Sequence, residues 1–375
     1  MSDLSDSLEA LARSRTQLPV HTYFDDVLFR RELELIFQSG PRYIGHELAV
    51  TEVGQHHALP QEGDGRALVR TRDGVELISN VCRHRQAVIL RGRGRSSGEN
   101  IVCPLHRWTY DLHGRLIGAP HFERDPCLNL RNYPLQRWNG LLFEANGFDV
   151  AAELATTGPH PVLDFSGYVF DRVKLHQCDY NWKTFIEVYL EDYHVGPFHP
   201  GLGRFVTCDD LRWQFGRRHS VQTVGVRNAL AQPGSPVYER WHEAVMKFRN
   251  GVPPEQGAIW LTLYPNVMVE WYPHVLVVST LFPQGPQNTL NVVEFFYPEE
   301  IAAFEREFIE AEQAAYWETC AEDDEIALRM DAGRRALMER GDDEIGPYQS
   351  PMEDGMQHFH EWYRRAMQGA VGPAP

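Results

Sequence analysis

The sequence predicts an α+β protein, with a small all-β domain followed by a larger domain in which helices flank an antiparallel sheet. Short alternating stretches such as RALVRTRDGVELISNVC fill the first part of the chain, and Asp73-Gly74 is typical of a hairpin turn between two strands. Longer β segments such as AIWLTLYPNVMVEWYPHVLVVSTLF come later, between two segments with helical periodicity. The 375 residues are enough for two such domains.

The same patterns divide the chain into three segments. Residues 1–40 are expected to be helical, because apolar residues recur at helical spacing in FRRELELIFQSG until Gly40-Pro41 breaks the pattern. Residues 41–155 form the predicted β domain. Residues 156–375 form the larger domain, and the boundary falls in AAELATTGPHPVLDF, whose Gly and Pro residues disfavour both helix and strand.

Two helices are predicted in the larger domain. The first covers residues 180–195 and is expected to end at Gly196-Pro197. The second is an acidic amphipathic helix over residues 299–340 that begins after Pro298.

The charge balance narrows the range of partners. The chain carries 36 Lys and Arg against 52 Asp and Glu, and the resulting net charge of −16 disfavours binding to a phosphate backbone. The sequence has neither an apolar run long enough to span a membrane nor a basic and then apolar leader. We therefore expect a cytoplasmic protein with no nucleic-acid or membrane partner. Six cysteines are too few for a disulfide scaffold, and their spacing is more typical of metal binding.

Two Cys/His pairs form the first candidate site. Cys82 and His84 stand in NVCRHR, and Cys103 and His106 stand in NIVCPLHRW, each pair after a predicted strand. Two thiolates and two imidazoles can bind zinc, or a [2Fe-2S] cluster in which two Cys hold one iron and two His hold the other. Zinc fingers usually pair Cys with Cys and His with His, whereas each loop here supplies one of each, which favours the cluster. The remaining cysteines are assigned no function.

Two histidines five residues apart form the second candidate site, in NWKTFIEVYLEDYHVGPFHPG. Glu187, Glu191 and His194 fall at i, i+4 and i+7, so we expect them on one face of a helix, with His199 on the following turn. Two imidazoles and one carboxylate form the facial triad of non-haem iron oxygenases, which leaves positions open for O₂ and substrate. The acidic cluster at 322–325 offers the carboxylate.

Together these segments resemble the oxygenase α-subunit family of Rieske non-haem iron enzymes, which hydroxylate aromatic rings or remove methyl groups. The first site reads NVCRHRQAVIL and VCPLHRWTYDLHGRL, and the second reads NWK, YLEDYH and HP. The tail GPYQSPMEDGMQHFHEWY is similar to the family's C-terminal helix. The resemblance covers nearly the whole chain and is nearest to members built from α subunits alone.

The resemblance implies two metal cofactors. A Rieske [2Fe-2S] cluster would be bound by the two Cys/His pairs, and a mononuclear Fe(II) by His194, His199 and a distal aspartate. In the family this aspartate lies in an acidic pair, ten residues before a glycine. Counting back from Gly333 favours Asp323 over Asp324.

The resemblance also implies an assembly and an electron source. Glu191 matches the acidic residue that bridges the Rieske domain of one subunit to the iron of the next in a homotrimer. The sequence has no Gly-rich dinucleotide fingerprint after a strand, so electrons from NAD(P)H are expected through a separate reductase. Two positions depart from the family pattern: Arg107 replaces a usual Gly, and Val188 replaces an Asn that many members have beside the iron.

The substrate stays open among several alternatives. The main expectation is hydroxylation of an aromatic, carboxylated compound with O₂, and the alternative is oxygenation or demethylation of a quaternary ammonium compound or methylated amine. Aromatic residues of the β segments would line such a pocket or pack in the sheet core: Trp260, Tyr264, Trp271, Tyr272, Phe282 and Phe295. Two other classes are a Rieske electron carrier without oxygenase chemistry and a zinc-stapled binding module.

Overall fold

The structure is a computed structural model that describes residues 8–11, 14, 16–156, 161–344 and 346–369. The chain divides into two compact units. The small unit is Pro41–Ala151, and the large unit combines Met1–Gly40 with Ala152–Pro375. The N-terminal segment that the sequence sets apart thus belongs to the large unit. Among the helices of the described residues, none is long and apolar enough to cross a membrane.

Short strands in three antiparallel sheets build the small unit, in the orders β1-β11-β10, β5-β2-β3-β4-β9 and β6-β7-β8. Their bounds are Tyr43–His46 (β1), Gln55–Ala58 (β2), Arg66–Arg70 (β3), Val75–Ser79 (β4), Arg93–Arg95 (β5), Asn100–Val102 (β6), Thr109–Asp111 (β7), Leu116–Gly118 (β8), Asn132–Tyr133 (β9), Leu135–Trp138 (β10) and Leu141–Glu144 (β11).

The predicted hairpin at Asp73-Gly74 is confirmed. Arg70 on β3 pairs with Val75 on β4, and the Thr71 N–H donates to the Gly74 carbonyl at 2.7 Å to close the turn. Gly74 has a φ of 145°, a conformation that favours glycine because it has no Cβ.

An antiparallel sheet forms the centre of the large unit, in the order β12-β18-β17-β16-β15-β14-β13. Every residue of the interior strand β15 is buried, which explains the nearly continuous apolar sequence of this region. The predicted sheet flanked by helices is confirmed. The strands are Tyr168–Cys178 (β12), Val206–Phe215 (β13), His219–Val226 (β14), Ala258–Leu263 (β15), Val267–Tyr272 (β16), Val275–Gly285 (β17) and Asn288–Pro298 (β18).

Helices precede, connect and follow these strands. They are Asp26–Glu32 (α1), Val150–Leu154 (α2), Trp182–Tyr189 (α3), Val195–Phe198 (α4), Leu202–Phe205 (α5), Pro236–Phe248 (α6), Glu299–Phe304 (α7), Arg306–Arg340 (α8) and Asp354–Met367 (α9). A π turn at Leu33–Phe37 extends α1. Short 3₁₀ turns occur at Val20–Tyr23, Glu47–Ala49, Pro60–Glu62, Ser97–Glu99, Pro161–Leu163 and Asn228–Leu230.

Both predicted helices of the large unit differ from the structure. The helix predicted over 299–340 is two helices, α7 and α8, because Glu305 between them leaves the helical conformation (φ −117°, ψ 56°). The helix predicted over 180–195 is wrong at its C-terminal end, since α3 stops at Tyr189. The Asp192 N–H donates to the Met352 carbonyl at 3.0 Å, so a tertiary contact draws the chain out of the helix well before Gly196-Pro197.

Candidate functional site

Two loops of the same geometry hold the first candidate site. The Cys82 N–H donates to the Ala87 carbonyl at 2.9 Å, and the Cys103 N–H donates to the Trp108 carbonyl at 2.8 Å. Each loop therefore turns back on itself five residues after its cysteine. Both cysteines are buried in the core of the small unit.

A residue in the left-handed conformation closes each loop. Gln86 and Arg107 stand four residues after their cysteines, with φ of 59° and 60°, and each donates its N–H to the carbonyl of that cysteine. Glycine adopts this conformation without strain, which gives a physical reason for the Gly that the family has where this chain has Arg107.

The loops place thiols and imidazoles at different depths. The thiols of Cys82 and Cys103 are buried and interact with each other, and burial raises the pKa of Cys103. The rings of His84 and His106 lie outside them, with centroids 4.6 Å apart, and His84 stacks on Trp108. His84 Nδ1 is buried without a partner in the described residues. Two inner thiols and two outer imidazoles fit a cluster whose irons take different ligands.

Three side chains converge at the second candidate site. His194 Nε2 lies 2.9 Å from His199 Nε2, and Asp323 Oδ1 lies 3.0 Å from His199 Nε2 and 3.5 Å from His194 Nε2. His194 and His199 come from the start and end of the short helix α4, whereas Asp323 comes from α8. The two imidazoles and the carboxylate that the resemblance implies are thus brought together.

Two further carboxylates hold the outer nitrogens of these rings. His194 Nδ1 donates to Glu191 Oε1 and His199 Nδ1 donates to Glu322 Oε2, each at 2.6 Å. With both Nδ1 protons committed outward, both Nε2 lone pairs face Asp323 Oδ1. Burial lowers the pKa of His194, but the carboxylates of Asp323 and Glu191 outweigh it and raise the pKa to about 10, so the site favours a positive charge at this ring, from a proton or from a metal ion. Two lone pairs facing a carboxylate need a cation between them, so the donor set fits a divalent metal.

Asp324 points away from this group. It accepts hydrogen bonds from His176 Nε2 and the Tyr180 hydroxyl, both at 2.7 Å. His176 places its other nitrogen 3.8 Å from the Cys178 thiol. Of the two neighbouring aspartates, Asp323 therefore faces the two histidines.

Glu187 does not share a face with Glu191 and His194, and the expected helical stripe is wrong because α3 ends before Glu191. The Glu187 carboxylate is fully buried, where it accepts hydrogen bonds from Tyr23, His360 and Arg334. Burial raises its pKa, but these partners outweigh burial and lower the pKa to about 2. Glu187 thus holds α3, α8 and α9 together, and none of these partners is a candidate metal ligand.

The Asn-Trp-Lys motif at residues 181–183 fixes the start of α3. Asn181 caps α3 by accepting from the Lys183 N–H at 2.8 Å. The Lys183 ammonium lies 2.6 Å from Glu32, and both side chains are fully buried. Trp182 Nε1 donates to the other oxygen of Glu32 at 2.8 Å. The motif anchors the helix that precedes the two histidines to the N-terminal segment.

A cavity adjoins Asp323 between α8 and the sheet. Aromatic rings and two buried glutamates dominate its wall, and the lining has no Lys, Arg or His among the described residues. The lining residues are Phe185, Tyr189, Leu202, Tyr238, Trp241, Glu270, Tyr272, Glu312, Tyr316, Thr319, Cys320 and Asp323.

The predicted aromatic residues contribute little to this wall. Of the six, Tyr272 alone lies among the lining residues, and Trp260 supports it by donating Nε1 to its hydroxyl at 3.1 Å. The sequence reasoning missed Glu270 and Glu312. The signal for Glu270 was a lone carboxylate in the otherwise apolar strand VMVEWY.

Val188, which replaces the Asn that many family members have beside the iron, lies in an apolar cluster. It packs with Cys178, Tyr180 and Ala327.

The two units match known families. Residues 43–134 match the Rieske [2Fe-2S] domain, and residues 164–369 match the ring-hydroxylating α-subunit catalytic domain. The chain belongs to the ring-hydroxylating α-subunit family. It is therefore an oxidoreductase of the Rieske oxygenase type, and a Rieske [2Fe-2S] cluster and a mononuclear non-haem iron are its cofactors.

Curated relatives cover nearly the whole chain. Putrescine 2-hydroxylase of Ralstonia nicotianae is 66% identical over 98% of this chain and 100% of its own length. Putrescine 2-hydroxylase of Bordetella bronchiseptica is 62% identical over 94% of this chain and 85% of its own. The oxygenase subunit of carnitine monooxygenase from Escherichia coli is 27% identical over 92% of this chain and 91% of its own.

Solved structures share the fold. A quaternary ammonium Rieske monooxygenase in complex with L-carnitine has a TM-score of 0.72 at 18% identity, and 99% of each chain is covered. Naphthalene 1,2-dioxygenase from Rhodococcus, bound to indole, has a TM-score of 0.69 at 20% identity, over 99% of this chain and 98% of its own.

Proposed function

We propose that this oxygenase hydroxylates an aliphatic diamine, and that putrescine is the substrate to test first. The observation that carries the proposal is the cavity beside Asp323, which combines aromatic rings with the buried carboxyl groups of Glu270 and Glu312. The putrescine 2-hydroxylases of Ralstonia nicotianae and Bordetella bronchiseptica, 66% and 62% identical to this chain, support it.

The carboxyl groups favour a primary ammonium over a quaternary one. An aromatic cage alone attracts any cation, including one without N–H groups. A primary ammonium brings three donors that need acceptors when it is buried, and a carboxylate supplies both the acceptors and the opposite charge. Glu270 and Glu312 are 1% exposed and form no ion pair within the described residues, so a cationic substrate would meet their need for a partner.

The same wall argues against the main expectation from the sequence, an aromatic carboxylated substrate. Such a compound would bring a third carboxylate beside Glu270 and Glu312, where the described lining offers no basic side chain. The expectation of an amine substrate is the better supported, although putrescine is neither quaternary nor methylated.

The metal ligands are assigned from the geometry above. Cys82, His84, Cys103 and His106 would hold the cluster, and His194, His199 and Asp323 would hold the mononuclear iron. When bound, these centres supply electron transfer and O₂ activation. Glu191 and Glu322 keep the Nδ1 protons outward, which fixes the tautomer and direction of the two rings.

The overall reaction balances as a monooxygenation. One oxygen atom of O₂ enters a C–H bond of the diamine, and the other leaves as water with two electrons and two protons. The electrons come from NAD(P)H through a separate reductase. We further propose a homotrimer in which Glu191 links the iron site of one subunit to the cluster of its neighbour, and sedimentation of the cluster-loaded protein tests the trimer.

Product analysis tests the function. The iron-loaded protein, a flavin-dependent reductase, NADH and ¹⁸O₂ are incubated with putrescine, carnitine, choline or benzoate. Hydroxyputrescine carrying one ¹⁸O atom is the expected product, and formation tracks NADH oxidation. Product from benzoate or a quaternary amine alone would overturn the diamine proposal. Reduction of the cluster without product from any amine or aromatic compound would favour the electron-carrier alternative.

A further inference from the structure

The cavity follows one face of α8. Asp323, Tyr316 and Glu312 all line it, at positions i, i−7 and i−11 of the same helix. With a rise of about 1.5 Å per residue, Tyr316 lies about 10 Å and Glu312 about 16 Å along the axis from the iron-ligand candidate Asp323. The helix therefore presents groups at fixed distances from the reacting centre.

Glu270 enters the cavity from the opposite wall, on β16. Its Oε1 accepts from the Tyr316 hydroxyl at 3.3 Å and its Oε2 accepts from the Tyr272 hydroxyl at 3.0 Å. These bonds set the carboxyl group at the level of Tyr316, between Asp323 and Glu312. Each oxygen keeps a further acceptor site, since an ionised carboxylate has about four lone-pair positions.

Glu270 is a poor candidate for a purely structural acid. It is fully buried, and burial raises its pKa to about 8 despite the two tyrosine hydrogen bonds. Burial without a neighbouring cation destabilises the charged form of a carboxyl group. An apolar residue of similar size would pack there at a lower cost in folding free energy.

Two residues that line the cavity each have a buried polar atom without a partner. The Tyr189 hydroxyl and Trp241 Nε1 are buried, and neither has a hydrogen-bond partner within the described part of the chain. Buried polar groups are nearly always satisfied, so these atoms indicate that the cavity is built around a polar ligand.

We infer that Glu270 binds the ammonium group of the diamine that is remote from the oxidised carbon, and that its distance from Asp323 selects the carbon that is hydroxylated. Tyr272 and Tyr316 are positioning residues that hold the carboxylate. This inference rests on the proposed function, because it assumes a diamine substrate.

Glu312 differs from Glu270 in place and in partners. It lies one turn of α8 beyond Tyr316, where its Oε2 accepts from the Tyr297 hydroxyl at 2.5 Å. Burial raises its pKa to about 8, although Lys174 acts in the opposite direction. Glu312 therefore lines the far end of the cavity, and its removal should affect diamines longer than putrescine more than putrescine itself.

The test removes the negative charge of Glu270 while keeping the size and shape of its side chain. Wild type and Glu270→Gln are compared on putrescine and on 4-amino-1-butanol, which replaces one ammonium by a hydroxyl. Wild type should prefer the diamine in kcat/KM by about a hundredfold, as expected for a hydrogen bond between charged groups. In Glu270→Gln this preference should fall below about fivefold, because the neutral amide serves the hydroxyl as well as the ammonium.

A binding measurement and a shortened side chain complete the test. Calorimetric titration of iron-loaded, oxidised protein with putrescine should show an affinity about a hundredfold lower for Glu270→Gln. Glu270→Asp should keep the diamine preference but move part of the oxidation from C2 to C1, because the charge is withdrawn by one methylene. Hydroxylation at C1 gives a carbinolamine that releases ammonia and leaves 4-aminobutanal, which distinguishes it from hydroxyputrescine. Exposed Glu243→Gln on α6 is the charge-matched control and should leave both measurements unchanged.

The outcomes separate the two proposals. If wild type makes no hydroxylated diamine, the proposed function fails. If wild type makes it and Glu270→Gln binds putrescine with wild-type affinity and keeps the diamine preference, the assignment of Glu270 is wrong although the function stands. If Glu270→Gln does not fold, as shown by lost near-ultraviolet dichroism of the large unit, an unchanged product in Glu270→Asp would equally overturn the inference.

Discussion

In the small unit the four candidate ligands lie close together in sequence, on two short loops whose hydrogen bonds repeat each other. In the large unit His194 and His199 meet Asp323 across more than a hundred residues of chain. The first arrangement needs little beyond the loop itself. The second depends on long-range packing that brings α4 next to α8.

This difference shows in the partners of the ligands. The imidazoles of His84 and His106 reach the surface of the small unit, and His106 is exposed. His199 is 1% exposed, and a second carboxylate fixes its outer nitrogen. A locally built site can thus exchange electrons with a partner at the surface, while a site assembled over a long range gains a sheltered cavity for the substrate.

Removing one ligand from each unit should give the largest effect. Cys103→Ala should lose the cluster, its visible absorption and about two of three iron atoms per chain. His199→Ala should keep the absorption, lose the third iron and abolish turnover. Metal analysis and spectra check both, with exposed Cys127→Ala as the control. A His199→Ala variant with full iron and turnover would contradict the assignment.

Breaking a buried ion pair should destabilise the large unit more than the small unit. Lys183→Met leaves the fully buried Glu32 without its cation, at a cost of about 3–5 kcal/mol. Arg66→Met in the small unit removes partly exposed pairs with Glu62 and Glu144, at about 1–2 kcal/mol. Denaturant titrations followed by near-ultraviolet dichroism and by cluster absorption measure the two. Equal losses would remove this contrast. Adding Glu32→Gln to Lys183→Met should recover part of the lost stability, because the neutral amide still accepts from Trp182 Nε1.

Glu191 and Glu322 offer a matched pair within the large unit, since each accepts one Nδ1 proton at 2.6 Å. Glu322→Gln should weaken iron binding by about 10-fold or less, because the amide oxygen still accepts the proton. Glu191→Gln should keep iron and cluster but lower turnover by about 100-fold or more, with the cluster staying reduced in the presence of substrate and O₂. Stopped-flow reoxidation compares them. Identical behaviour of the two variants would mean that Glu191 only orients His194 and has no separate part in electron transfer between subunits.

The smallest effect is expected at the closing position of the cluster loop. Arg107→Gly should stabilise the small unit by about 0.5 kcal/mol, since relief of left-handed strain slightly exceeds the added freedom of the unfolded chain. Gln86→Gly tests the equivalent position of the other loop. Thermal loss of cluster absorption provides the measurement, and a clear destabilisation in both variants would show that φ is not what these positions require.

The sequence predicted the local features well. The Cys/His spacing, the hairpin at Asp73-Gly74 and the antiparallel sheet depend on neighbouring residues or on a repeating pattern. The end of α3 could not be predicted, because it depends on a hydrogen bond from Asp192 to Met352. Glu312 was missed for the same reason, since only the packing of β16 against α8 makes it part of a cavity wall, whereas Glu270 had a signal in the sequence, the lone carboxylate of VMVEWY.

Helix α8 is fixed to α3 by hydrogen bonds, and this limits which parts of the site can change with the substrate. Asp331 on α8 accepts hydrogen bonds from the Asn181 N–H at 2.9 Å and the Thr184 hydroxyl at 2.6 Å, which ties α8 to the helix before the two histidines. Asp323 and the histidines are therefore held in place by the same pair of helices. Substitutions at positions such as 312 and 316 of α8 should leave the metal ligands where they are, so the enzyme can accept substrates of other lengths while its redox chemistry is unchanged.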